Sequence, residues 1–233
     1  MRVTKVRRMH AAVAAIAICV PLLLVGNAMH VIAHDWFPNA EYGRLPPEPY
    51  GLTTSQRTKL AQKALDSIVP FGGGGRELRE ARLPDGRPAF NDRERRHMRD
   101  VRRYVLGLSL THAIGLLVLA WLVVVRRTRP IVRDALVAGA LLTFGIAAFV
   151  GVFVAISPVG FLGGFHRVFF SGDSWRFEET DTLRRLFPDR FWADTSIALG
   201  VLVGAQALLI LAVAVIRARR GRGSAWPRLL RRR

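Results

Sequence analysis

Two of the six histidines stand at the edges of long apolar runs, in segments whose residue types could move a proton. His97 lies in FNDRERRHMRDVRRY, residues 90–104. His166 lies in FLGGFHRVFFSGDSWRFEETDTLRRLFPDRFW, residues 161–192. A neutral imidazole can take a proton from an amine or water and return it to a departing oxygen near neutral pH. Glu94 and Asp100 are the i−3 and i+3 neighbours of His97, so a helix would place both beside the ring. A carboxylate there can orient an imidazole and raise its basicity. His97 is therefore expected to be the more basic of the pair, and His166, set among aromatics, to lean towards the neutral form. Asp173 and Trp175 are the matching candidates to support His166. From spacing alone, residues 90–104 read more simply as a charged, solvated turn.

Other chemistries find less support. Cys19 is the one cysteine, so there is no disulfide framework and no thiolate set for zinc. A metal held by His97, His166 and carboxylates such as Asp100 or Asp173 is a competing use of the same residues. Ser171 and Ser174 could be nucleophiles, but neither sits in a Gly-x-Ser-x-Gly elbow. Gly72–Gly75 lacks the Lys-Ser/Thr that would complete a phosphate loop, and reads as a linker. No cofactor-binding or metal motif is expected.

The elements that must hold these residues are membrane helices. Residues 11–33, 104–125, 135–156 and 195–216 carry no Asp, Glu, Lys or Arg. At 1.5 Å rise per residue, each can cross a hydrocarbon core of about 30 Å. A net charge of +18 would suggest nucleic acid in a soluble chain, but here it follows topology. The N-terminus, the link 126–133 and the tail 217–233 are basic and free of acidic residues, whereas the other connections are mixed in sign. The positive-inside rule places both termini inside, with residues 34–103 and 157–194 as extracytoplasmic loops. The expected protein is a single integral domain over 1–233, an all-α membrane protein with a small extracytoplasmic α+β part. It sits in the cytoplasmic membrane among anionic lipid and does not bind nucleic acid.

Within the first loop, Thr53–Gln56 has the form of a capping box, and 56–69 reads as an amphipathic helix stopped by Pro70. Residues 78–90 contain Pro84-Asp85-Gly86, a turn signal that suggests a short hairpin. Asn91 and Glu94 form a second box, from which one helix can run unbroken into 104–125. Ser157-Pro158 should end the third span, and 181–187 is amphipathic up to Pro188. His112 reads as interhelical glue, and Gly200 and Gly204 as a close-packing face. His30 and His34 read as interfacial. The second loop holds Phe161, Phe165, Phe169, Phe170, Trp175, Phe177, Phe187, Phe191 and Trp192. An aromatic belt explains some of them; a pocket facing the lipid is the functional reading.

FHRVFFSGDSW followed by DTLRRLFPDRFW, together with the pattern F-x-x-x-E-x-x-H-x-x-D-V in 90–101, resembles the family of integral membrane proteins that includes the lipoprotein intramolecular transacylase. The likeness covers nearly the whole chain. It implies that His97 and His166 match the family's two functional histidines. It also implies transfer of an acyl chain from the sn-2 oxygen of a diacylglyceryl group to the N-terminal cysteine amine of the same lipoprotein, giving a lyso-form lipoprotein. Diacylglyceryl-modified lipoproteins would then be the partners, with no cofactor. A non-catalytic membrane protein that binds or assembles partners is the alternative. The topology is checked by labelling engineered cysteines with a membrane-impermeant reagent: a probe at Gly74 should react from outside, and one at Gly223 should not.

Overall fold

The computed structural model describes residues 2–125, 128–170, 172 and 174–223. The described chain is nearly all helix: α1 (Arg2–Ile32), α2 (Trp36–Tyr42), α3 (Thr54–Asp66), α4 (Gly75–Glu80), α5 (Asp92–Val124), α6 (Arg129–Ile156), α7 (Pro158–Phe169), α8 (Thr182–Leu186) and α9 (Asp189–Gly223). Four of these, α1, α5, α6 and α9, are long and apolar enough to cross a membrane. Outward-facing Leu117, Trp121, Val124, Phe149, Leu208 and Leu209 suit lipid as solvent.

The residues divide into two compact units. One comprises the chain up to Val25, Ala113–Val150 and the residues from Gly200 on. Its core is the seam where α1 meets the other long helices: Ala17, Val20 and Leu24 are buried, with Val132, Ala135 and Ala140 of α6 and Val203 and Ala207 of α9. Glycine permits the closest approach. A Cβ on Gly139 would fall 2.4 Å from the Cβ of Val20. Gln206 Nε2 donates to the Leu24 carbonyl at 3.2 Å, a polar link inside an apolar bundle. The pair read as a packing face does not act as one. A Cβ on Gly200 would meet nothing, and one on Gly204 would reach Phe144 only at 4.0 Å. Small residues bring helices together only where a partner face stands opposite, and Gly139 is where α1 supplies it.

The other unit comprises Gly26–His112 and Gly151–Leu199. His112 Nε2 lies 2.9 Å from Asn27 Oδ1, and its ring stacks on His30 at 5.0 Å. A Cβ on Gly26 would come within 2.4 Å of the same ring. His112 thus joins two helices, as glue does. His30 is part of that cluster, with a ring nitrogen 2.8 Å from the Gly26 carbonyl.

Both expected caps form. Thr53 and Gln56 exchange side-chain and backbone bonds at the head of α3. At the head of α5, Asn91 N donates to Glu94 Oε2 at 2.7 Å and Glu94 N to Asn91 Oδ1 at 3.0 Å. The β part of the expected α+β region is not seen, since no strand occurs among the described residues. α4 takes its first three residues, up to Glu80, and the rest closes through a single antiparallel bridge between Arg82 and Pro88. The turn signal holds, with Asp85 Oδ1 accepting from Arg87 N and Gly86 at φ +84°. Leu83 N donates to the Arg87 carbonyl at 2.9 Å and Ala89 N to the Ala81 carbonyl at 3.0 Å, and the ladder goes no further because the chain is helical up to Glu80 and again from Asp92. α2 and α7 are further helices within the stretches read as loops 34–103 and 157–194.

α8 is short but holds the unit together. Leu183 N donates to Glu94 Oε1 at 2.6 Å, and Thr182 Oγ1 to the Ala89 carbonyl. Tyr42 OH reaches the Leu186 carbonyl at 2.8 Å. Arg185 grips Glu48 through Nε at 2.7 Å and Nη2 at 3.1 Å. Glu94 is only 1% exposed and accepts from two backbone amides of different segments. Glu94→Ala strands both donors and should cost on the order of 3 kcal/mol, with Glu94→Gln intermediate because one acceptor remains. The thermal midpoint of the detergent-solubilised protein measures this.

Candidate active site

His97 occupies the second turn of α5, seven residues before the charge-free run 104–125. A helix of 33 residues is about 50 Å long, so its Arg-rich first third extends beyond an apolar core of about 30 Å. His166 lies in the last turn of α7. α7 exists because Ser157 stops α6 and restarts the helix. Its Oγ accepts from Gly160 N at 3.2 Å, with Pro158 at the first helical position. The i, i+4 spacing of Phe161, Phe165 and Phe169 was a signal for this helix.

The structure brings the two histidines together. Their ring centroids are 6.1 Å apart at an interplanar angle of 28°. Phe170 lies 4.9 Å from His97 and 5.6 Å from His166. Phe177 meets His97 edge-on at 5.3 Å, and Trp175 stacks on His166 at 5.0 Å. Much of the second-loop aromatic content is therefore a wall around two imidazoles.

Polar groups inside this wall are left open. His97 is 8% exposed, and its Nδ1 has no hydrogen-bond partner among the described residues. The buried Trp175 Nε1 likewise has none there. Buried polar atoms normally find partners, so two orphans on rings that both stack on His166 mark a candidate ligand site.

The expected supports are arranged differently. Glu94 does not turn towards His97; its two oxygens are taken by the Asn91 and Leu183 amides. Burial nevertheless pushes its carboxyl above the usual carboxylate range. Asp100 pairs with Arg103 at 3.2 Å on the exposed side of α5. Asp173, like Ser171, lies outside the described residues. No group of three metal-ligating side chains occurs among the described residues. The expectation that neighbouring carboxylates raise the basicity of His97 is overturned. Burial, reinforced by His166, pushes its pKa down to about 4 against the weaker pull of Asp100.

Residues that a motif reading could not assign do the clamping. Asp181 accepts from Asn91 Nδ2 at 2.7 Å and from Arg93 Nη2 at 3.1 Å. The two segments that carry the histidines are thus tied through Asn91, Arg93, Glu94, Asp181, Thr182 and Leu183.

The sequence profile of the lipoprotein intramolecular transacylase Lit matches residues 13–192. The chain belongs to this family. The lipoprotein intramolecular transacylases are acyltransferases, and this member is a multi-pass membrane protein. An uncharacterized protein of Aquifex aeolicus is 28% identical over 203 residues, covering 86% of this chain and 92% of its own. The in meso structure of the lipoprotein intramolecular transacylase of Bacillus cereus has the same fold. It superposes with a TM-score of 0.73 at 16% identity, covering 93% of this chain and 97% of that one. A variant of that protein with one histidine replaced by alanine gives a TM-score of 0.75 at 15% identity, covering 94% and 97%.

The pKa of His97 has a measurable consequence. Its folded value of about 4 lies below the unfolded value of about 6.5. The unfolded chain therefore binds more protons between those limits, and this contribution to stability is full above about pH 6.5 and lost as pH falls towards 4. In 15N-histidine spectra, the His97 ring should remain a neutral tautomer at pH 5.5. A ring half-protonated near pH 6.5 would contradict the burial argument.

Proposed function

We propose that this protein moves an acyl chain from the sn-2 oxygen of a diacylglyceryl-modified lipoprotein to the α-amine of the same molecule's N-terminal cysteine. The product is a lyso-form lipoprotein. The work takes place on the extracytoplasmic face of the cytoplasmic membrane, with both termini inside. The observation that carries the reading is the approach of His97 and His166, from segments far apart in sequence, within one aromatic wall.

The chemistry balances without a further reactant. The amine nitrogen attacks the ester carbonyl, so a C–N bond forms and a tetrahedral oxyanion appears. An imidazole takes the amine proton, the C–O bond to glycerol breaks, and the same proton passes to the departing glycerol oxygen. The α-amine titrates near 7.7–8.0, roughly within reach of neutral pH, so a neutral base at the site is what the step requires. The second imidazole and the Trp175 indole N–H are donors for the oxyanion. Nucleophile and electrophile belong to one substrate, so holding them together supplies much of the acceleration. Phe170 and Phe177 exclude water and strengthen those polar interactions. Asp173 is a positioning group in this scheme, and Glu94 holds the segments in place.

The test is mass spectrometry of lipoprotein N-termini after expression in a host lacking N-acylation. Wild type should convert a reporter to the N-acyl lyso form. His97→Ala and His166→Ala should each lower conversion by about 10²-fold or more while remaining inserted and folded. The double variant should lose far less than the product of the two effects. Full activity in both single variants would refute the two-histidine mechanism. No conversion by wild type on any lipoprotein would favour a partner-binding protein.

A further inference from the structure

Arg57 stands on the first turn of α3 and is 5% exposed, a depth at which arginine normally pairs with a carboxylate. No carboxylate pairs with it among the described residues. Of its five N–H donors, Nη1 makes one long bond, 3.3 Å to the Pro46 carbonyl. The guanidinium lies over the Tyr42 ring at 4.8 Å, and Nε is buried without a partner. Glu48 lies nearby, but Arg185 and Leu52 N occupy both its oxygens. A buried charge so poorly compensated lowers stability, which calls for a reason beyond folding.

Arg57 lines a cleft of about 430 Å³ walled by Tyr42, Leu45, Pro46, Leu52, Thr54 and the Glu48 carboxylate, whose charge is countered by Arg185. The N-terminus of α3 opens on the same cleft. Thr53 Oγ1 caps Gln56 N, leaving the Thr54 and Ser55 amides without a partner among the described residues. A helix N-terminus, a hydroxyl and an open guanidinium together suit a tetrahedral oxyanion, which offers an acceptor to each.

We propose that the Arg57 cleft binds a phosphate group. Arg57 supplies charge and the forked donors, Thr54 a hydroxyl and amide. Leu45, Pro46 and Leu52 give an apolar wall for whatever carries the phosphate. A phospholipid headgroup and free phosphate share this chemistry.

Isothermal titration calorimetry on the full chain in uncharged maltoside detergent tests the site. The probes are inorganic phosphate and sn-glycero-3-phosphoglycerol, with glycerol as the uncharged control. Saturable binding of a phosphate probe, and none of glycerol, is expected. Affinity should fall by about tenfold in Arg57→Met and about threefold in Thr54→Val. Arg57→Met should unfold at or above the wild-type temperature, because it removes an uncompensated buried charge. Tighter binding of the glycerophosphodiester assigns a lipid headgroup; tighter or equal binding of inorganic phosphate assigns the free ion. The proposal is overturned if wild type binds neither probe, or if a folded Arg57→Met binds as wild type does. Should Arg57→Met fail to fold, unchanged binding by Thr54→Val overturns it instead.

Discussion

The Glu94 carboxylate joins two stretches of chain that would otherwise be independent. One oxygen closes the cap of α5 and the other accepts from Leu183 at the head of α8. With so little water contact, neither bond can be exchanged for solvent. The carboxylate must stay satisfied by protein, and this holds α5 and α8 in one register. Asp181 adds a second tie through Asn91 and Arg93, and Arg185 extends the clamp to Glu48. The position of His97 follows from this clamp, because the cap fixes where α5 begins and His97 comes one turn after Glu94.

The site is governed by exclusion of water more than by nearby charge. Asp100 is placed to favour a charged His97, yet burial among Phe170, Phe177 and His166 outweighs it. The reason is geometric. Asp100 lies on the solvated side of α5, where water screens it and Arg103 competes for it. The aromatic wall touches the imidazole directly. For the proposed acyl transfer, an imidazole that is neutral at rest suits attack by an amine.

Much was legible in the residues alone. Spans follow from the length of charge-free runs, because lipid penalises any uncompensated charge along about 20 residues. Both capping boxes follow from local spacing, since a cap involves only neighbours within one turn. His112 as a bridging polar residue follows from its depth in an apolar run. The expected hairpin is reduced to a turn closed by one antiparallel bridge, without strands, because α4 and α5 take up the chain on either side. The Gly200–Gly204 face failed because close packing depends on the opposite helix, which one helix's sequence does not contain.

What the sequence determined, then, is what lipid and local hydrogen bonding dictate: four long helices, where two of the loop helices begin, and two histidines at the ends of apolar runs. Only the tertiary structure decided what those residues do to each other. It set the rings of His97 and His166 6.1 Å apart. It turned Glu94 away from His97 and onto Leu183. It buried the His97 ring and so depressed its proton affinity. It left Arg57 buried without a carboxylate. Each of these depends on which distant side chain arrives to displace water, and desolvation is a property of the assembled environment that no spacing along the chain encodes.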